Sequence, residues 1–198
     1  MKAGKFLICG GLDQTGKTTQ TNHLTKWLEK QGKSVIHTFE PGGTPLGCEL
    51  RSLLMKESYS PKTQWLLYLA AREEHLEKVI RPAIQSGTWV VCDRFFETTF
   101  LFQGLQGISE ELLWFFHHGL KHHTPAPALE LLFTGRVGKR REDEKTHYDR
   151  FSDEHRDAMT NQVKRYAQEA EKAVLLEVSG KTEHEVFEEI LEYVTPLL

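Results

Sequence analysis

The sequence predicts an α/β fold in three layers: a five-stranded parallel sheet flanked on both faces by helices, with a lid at about 135–151. Three observations carry that expectation. Strand-like and helix-like patterns alternate along the whole of the 198 residues. Phe6-Leu7-Ile8-Cys9 and Thr88-Trp89-Val90-Val91-Cys92 are nearly continuous apolar runs, the pattern of strands covered on both faces. The first run leads into Gly11-Leu12-Asp13-Gln14-Thr15-Gly16-Lys17-Thr18, a glycine loop that opens onto a helix. Crossovers in such a sheet are right-handed, and ligands bind beyond the carboxyl ends of the strands.

The elements follow in order. Thr19–Gln31 carries Leu24, Trp27 and Leu28 at helical spacing, and Gly32 stops it. Ser34–Phe39 reads as the second strand, and Glu40-Pro41-Gly42-Gly43-Thr44 as a loop. Leu46–Lys56 is a helix with Leu50, Leu53 and Leu54 on one side and Arg51 beside them. Pro61 suits the start of a long helix, Lys62–Ser86, which Gly87 ends. The third strand, Thr88–Cys92, has Asp93-Arg94 at its carboxyl end. Helical patterns then span Glu97–Gln106 and the stretch opened by Ser109-Glu110-Glu111. Pro125 and Pro127 break the chain before the fourth strand, Leu129–Thr134. Gly135–Arg150 is dense in charge without apolar periodicity, which suggests a mobile excursion. Asp153–Ala173 is helical, Ala173–Val178 is the fifth strand, and Thr182-Glu183-His184-Glu185 is a capping box for the last helix.

Composition narrows the function classes. The length suits one domain over residues 1–198. A net charge of -3 forces no basic face, so polymeric nucleic acid is not the expected partner, whereas a small anion in a cleft remains compatible. Cys9, Cys48 and Cys92 are odd in number and far apart, as for buried thiols in a reducing compartment. The N-terminus enters the first strand without a signal-peptide pattern, and no apolar stretch approaches a membrane span. The expected location is the cytoplasm, with no membrane partner.

Three groups of residues carry chemistry. Gly11 and Gly16 allow a tight turn whose N–H groups approach an anion, and the helix that follows adds its unpaired donors and positive dipole end. Lys17 can reach β- and γ-phosphates, and the Thr18 hydroxyl can hold Mg²⁺; a glycine turn without a ligand is the plainer alternative. At the third strand, Asp93 can hold Mg²⁺ through water and Arg94 can clamp phosphate, unless the two form only a surface ion pair. Tyr68 and Arg72 are i, i+4 on one helix, so an aromatic ring and a five-donor fork could together receive a base. The alternative is a core-edge tyrosine beside an arginine paired to a carboxylate. Arg51 could equally be part of a solvated face. His117, His118, His122 and His123 include a helical i, i+4 pair, but no third ligand supports a metal site, and histidines near a helix C-terminus complement its dipole. Trp27, Trp65, Trp89 and Trp114 are expected in packing.

With these residues in place, the chain resembles the thymidylate kinase family over about Phe6 to Ile190. The likeness rests on Gly-Leu-Asp-x-x-Gly-Lys-Thr-Thr at Gly11–Thr19, Glu-Pro-Gly-Gly-Thr at Glu40–Thr44, Leu-Arg-Ser-Leu-Leu at Leu50–Leu54, Ala-Ala-Arg at Ala70–Arg72 and Asp-Arg-Phe at Asp93–Phe95. The resemblance implies a P-loop NTPase fold, ATP as phosphoryl donor, Mg²⁺, dTMP as acceptor and a homodimer, to which Trp114-Phe115-Phe116 could contribute. It implies that Gly11, Leu12, Asp13, Gln14, Thr15, Gly16, Lys17, Thr18 and Thr19 hold ATP, with Asp13 near the metal and acceptor sugar. It places Arg51 and Arg94 on the dTMP phosphate, Tyr68 against thymine and Arg72 on its O4. Glu40, Pro41, Thr98, Thr99, Phe102 and Gln103 would line the same site, and adenine would lie near Ser179–Thr182.

The sequence also departs from the family pattern. Thr98 stands for the usual Ser, Leu101-Phe102-Gln103 for Ala-Tyr-Gln, and Leu132-Phe133 for Leu-Asp. Gln14 occupies a loop position where one branch has a catalytic Arg. The chain therefore resembles the branch whose cation comes from the lid, where Lys139, Arg140, Arg141, Lys145 and Arg150 are the donors, Lys145 and Arg150 the leading ones. The expected reaction is in-line transfer from ATP to dTMP, with Lys17, Arg94 and Asp13 among the catalytic residues. A related pyrimidine nucleotide or nucleoside kinase and a non-kinase nucleotide switch are the alternatives; the guanine signature of a GTPase is absent.

Overall fold

Five parallel strands, β1 (Phe6–Gly11), β2 (Val35–Phe39), β3 (Trp89–Asp93), β4 (Leu129–Thr134) and β5 (Ala173–Glu177), form one sheet in the order β2-β3-β1-β4-β5. The structure is a computed structural model and describes residues 3–121, 124–137 and 153–198. The register is set by pairs such as Ile8 with Cys92, Cys9 with Leu131, Thr38 with Cys92 and Leu132 with Leu175. Because every strand runs the same way, all five carboxyl ends lie along one edge. The glycine loop, Glu40, Arg94, Gly135 and Ser179 all follow those ends.

The period-two alternation of the inner strands makes the layers. Phe6, Ile8, Val90, Cys92 and Leu132 face one core. Leu7, Cys9, Trp89, Val91, Leu131 and Phe133 face the other. Both faces of β1 and β3 are apolar up to their carboxyl ends, unlike the faces of a half-exposed sheet. The second core is closed by α1 (Lys17–Lys30) through Leu24 and Leu28, and by α8 (Glu183–Val194) through Val186, Ile190 and Val194. Each such fully buried aliphatic side chain contributes about 2 kcal/mol of transfer free energy. The first core receives α3 (Pro61–His75), α5 (Phe96–Leu105), α6 (Glu110–Lys121) and α7 (Asp153–Glu169). The remaining helices are α2 (Pro45–Lys56), packed against α3, and the short α4 (Arg81–Gln85). After neighbouring strands β1 and β3 the chain leaves to opposite faces, into α1 and α5. That divergence opens a crevice at their carboxyl ends.

Local signals act where the sequence suggests. Thr182 and Glu185 form a reciprocal capping box at α8. Thr44 accepts the Gly47 N–H at 3.0 Å at the start of α2, and Pro61 opens α3 behind the capping Ser60. Gly32 takes φ +76 after α1. The long helix expected over Lys62–Ser86 is divided, with a π turn at Leu76–Ile80 between α3 and α4. Pro82 explains the division: it has no N–H to continue the ladder, and its ring clashes with the carbonyl four residues back. The helix before β5 ends at Glu169, short of the expected Ala173. Residues 138–152, which take in most of the lid expected at about 135–151, lie outside the described residues with His122, His123 and the side chain of His118.

One buried carboxyl gives the fold a pH signature. Glu130 on β4 accepts the Tyr166 hydroxyl at 2.8 Å beneath α7, and burial pushes its carboxyl up to about 7 against that hydrogen bond. The folded state therefore holds this proton more tightly than the unfolded chain. The cost of the charged form grows as pH rises from the ordinary carboxylate range through about 7. Glu130→Gln keeps an acceptor for Tyr166 and removes that cost. Its melting temperature should exceed the parent's by about 3 °C or more at pH 8, with the gain fading toward pH 5; an equal gain at both pH values would contradict the assignment.

Candidate functional site

The glycine loop is a cradle by its backbone. Gly11 has φ +98 and Gly16 φ +76, and Gln14 joins them on the left-handed side at φ +62. A Cβ on Gly11 would stand 2.3 Å from the Phe133 carbonyl oxygen, so only glycine lets the loop cross β4 there. The Leu12 N–H donates to that same oxygen at 2.9 Å, and the Thr15 hydroxyl closes the loop onto the Leu12 carbonyl at 2.9 Å. Lys17 is buried, its ammonium folded back to donate to the Leu12 carbonyl and 3.8 Å from Asp13 Oδ1. Burial first, then the Arg94 charge, lowers the Lys17 pKa to about 8, with Asp13, Asp93 and Glu97 resisting.

Across the crevice Arg94 departs from β3 with φ +71, its N–H donating to the Cys9 carbonyl at 2.9 Å. That strained conformation turns its guanidinium back toward the loop, where Nη2 donates to Asp13 Oδ1. Burial opposes the charge, but Asp13 and Asp93 outweigh it and raise the Arg94 pKa. Lys17, Asp13 and Arg94 thus form one cluster that joins the two sides of the crevice. Asp93 is buried and Arg94 pairs with Asp13, so the two do not stand as a surface ion pair.

The Mg²⁺ reading has a physical test in Asp93. The Thr18 hydroxyl donates to Asp93 Oδ2 at 2.7 Å, while Oδ1 is buried without a hydrogen-bond partner among the described residues. An unsatisfied buried carboxylate oxygen beside a loop hydroxyl is an oxygen donor set that suits a hard divalent cation. Among the described residues no group of three His, Cys, Asp or Glu side chains could hold a metal. Phosphate oxygens and water would supply the other ligands.

Beside the Glu40–Thr44 loop, Arg72 is 4% exposed. Its Nε donates to Glu40 Oε2 at 2.7 Å, and Nη2 to the Phe95 carbonyl and Thr99 Oγ1, both at 2.9 Å. Nη1 is buried with no partner among the described residues. The arginine is paired to a carboxylate, as the plainer alternative has it, and the Nη1 edge of its fork is left over. Tyr68 lies one turn earlier on α3, partly exposed. Pro41, Thr99 and Gln103 are buried around this region, and Thr98 and Phe102 are partly buried. The Thr98 hydroxyl donates to Glu97 at 2.6 Å. Arg51 is exposed on α2, its guanidinium 5.8 Å from the Phe39 ring at the end of β2.

Two arginines at the loop escaped the sequence reading. Arg156, in the first turn of α7, donates to the carbonyls of Asp13, at 3.1 Å, and Gly135. Arg136 donates from Nε to Gln14 Oε1 at 3.1 Å, and its backbone N–H bonds Ser179 Oγ at 3.1 Å. A cation in the first turn of a helix opposes the helix dipole, and that anomaly was the available signal for Arg156. Lys139, Arg140, Arg141, Lys145 and Arg150, where a lid cation was expected, lie outside the described residues. In the histidine cluster, His117 stacks on Phe96 with ring centroids 3.8 Å apart.

Comparison with known proteins agrees with this geometry. A family model described as thymidylate kinase matches residues 10–190. The thymidylate kinase of Synechococcus sp. (strain CC9605) is 42% identical over 120 residues, 56% of this chain and 57% of the relative. That of Nitrosospira multiformis is 44% identical over 119 residues, covering 56% and 58%. The chain thus spans somewhat more than half the length of these relatives. The thymidylate kinase of Chlamydia caviae is 38% identical over 155 residues, 75% of each chain. Among solved structures, thymidylate kinase from Ehrlichia chaffeensis superposes with a TM-score of 0.80 at 24% identity, covering 97% of this chain and 99% of that one. At that identity the superposition speaks for the fold, which is the P-loop NTPase fold. The family match takes in the glycine loop, the Glu40–Thr44 loop, Arg72 and Arg94 together, and the chain is a member of the thymidylate kinase family.

Proposed function

We propose that this chain phosphorylates dTMP to dTDP with ATP. The observation that carries the reading is the cluster across the crevice, in which Lys17 of the donor loop and Arg94 of the acceptor side meet on one carboxylate, Asp13. A site so arranged can hold two polyanions end to end. The acceptor phosphate is mostly ionised at neutral pH, with a second pKa of about 6, so no general base is needed. Catalysis then consists of alignment and charge neutralisation.

Lys17 and the loop N–H groups hold the donor phosphates, and Arg94 exchanges Asp13 for the acceptor phosphate, with Arg51 as its second clamp. Thr18 and Asp93 would hold Mg²⁺, which supplies charge neutralisation at the phosphate oxygens when bound. Arg156 keeps the Asp13 carbonyl turned away from the phosphates. Tyr68 stacks on the base, and the open Nη1 edge of Arg72 meets its O4. Adenine lies beside Ser179–Thr182. A homodimer fits the exposed apolar side chains Leu46 and Leu53 on α2, Leu66 on α3 and Phe115 on α6. The cytoplasm fits Cys9 and Cys92, buried free thiols whose pKa values burial raises.

The deciding experiment is a coupled ADP assay across dTMP, dUMP, UMP, CMP, AMP and GMP. The expected preference is dTMP; a preference for a purine monophosphate would overturn the reading. Arg94→Ala should lower kcat by about 10²–10³-fold with the circular dichroism spectrum unchanged, whereas near-normal turnover would remove Arg94 from the phosphoryl path. The lowered Lys17 pKa predicts that kcat/KM for ATP falls as pH rises above about 8, because the neutral amine no longer binds phosphate. A profile flat from pH 7 to 9 would exclude that role.

A further inference from the structure

Beneath the Glu40–Thr44 loop, four buried side chains form a line that ends at Arg72. The Thr38 hydroxyl on β2 is 2.7 Å from His75 Nε2, and His75 Nδ1 is 3.2 Å from Glu40 Oε1. Glu40 Oε2 then accepts Arg72 Nε at 2.7 Å. His75 is 1% exposed and Glu40 5%. A carboxylate paired with a guanidinium only accepts, so Nδ1 carries a hydrogen and donates it to Glu40.

This line fixes the roll of the Arg72 fork. Of its five N–H donors, Nε is spent on Glu40 and both Nη2 hydrogens are spent on Phe95 and Thr99. The Nη1 edge alone remains. Without the Nδ1 donor, the Glu40 carboxylate could rotate, and the Arg72 plane would rotate with it. His75 also supports the loop above: a Cβ on Gly43 would stand 2.3 Å from Nε2, so the loop backbone rests on the imidazole. A second irregularity marks the place. The π turn Leu76–Ile80 begins at the next residue, and such turns are frequent at functional sites.

We infer that His75 is a positioning residue for base recognition, holding Glu40 so that Arg72 presents Nη1 to a pyrimidine with a carbonyl at position 4 and not to one with an amino group there. The inference rests on the dTMP reading above. It assigns His75 no contact with either substrate, and its effect is confined to the acceptor base.

The test compares His75→Asn, His75→Gln and His75→Ala in steady-state kinetics. The Asn amide nitrogen lies close to the position of Nδ1 and can donate to Glu40; the Gln amide reaches instead the position of Nε2, toward Thr38. The unsubstituted protein is assayed first, and its failure to turn over dTMP would overturn the functional reading. Given that turnover, His75→Ala and His75→Gln should raise KM for dTMP by roughly 10–100-fold, the range seen when a supporting hydrogen bond is removed. KM for ATP should stay within about twofold, and the ratio of kcat/KM for dTMP over dCMP should narrow. His75→Asn should recover most of the lost affinity. KM values for dTMP and ATP rising together, a dTMP/dCMP ratio that does not move, or rescue by Gln as good as by Asn would overturn the inference. If His75→Ala does not fold, the Asn and Gln pair decides the question alone.

Discussion

The carboxyl edge of the sheet depends on one carboxylate held between two cations. Lys17 and Arg94 would repel each other across the crevice if nothing lay between them, and Asp13 lies there. The arrangement keeps two cations close in a poorly solvated place, at the cost of lowering the Lys17 pKa to about 8. In the proposed reaction Asp13 would stand in for substrate charge, and a phosphate displacing it would enter a site already organised for an anion, with little reorganisation as charge moves. The loop can hold this state because its backbone is tied twice, by Leu12 to β4 and by Arg156 to the carbonyls of Asp13 and Gly135.

The Glu40–Arg72 pair uses buried charge differently. Glu40 and Arg72 are 5% and 4% exposed, and a pair so buried contributes little net stability, since desolvation offsets attraction. Breaking it by removing one partner would cost about 3–5 kcal/mol. Such a pair is better explained by direction than by stability. Glu40, Thr99 and the Phe95 carbonyl consume donors of Arg72 until one edge remains, buried and unsatisfied, where an acceptor would gain most from binding. On the donor side Asp93 repeats the device with opposite sign, one oxygen bonded to Thr18 and the other left over.

Much of this was legible in the sequence because it is local. The loop from Gly11 to Thr18 is contiguous, the capping box at Thr182 spans four residues, and the alternating cores follow from the period of a strand. That Tyr68 and Arg72 lie one turn apart on the same helix follows from spacing alone. The π turn was less legible, because Pro82 announces an interrupted ladder without saying how the helix will accommodate it. Arg156 was missed because its segment is rich in charge, and a solvated helix face looks the same as one guanidinium folded onto a loop.

The sequence by itself determined the order of strands and helices along the chain, the glycine loop and the residue types at each strand end, since spacing and composition act over a few residues. Tertiary structure decided which of those residues meet. Asp13 reaches Arg94 across 81 positions and Arg156 across 143, and His75 reaches Thr38 across 37. Such contacts exist only after a parallel sheet has brought its carboxyl ends to one edge and sent the helices after β1 and β3 to opposite faces. The physical reason is that a charge or a hydrogen bond acts through space over a few ångströms, and only the folded chain brings these distant positions that close.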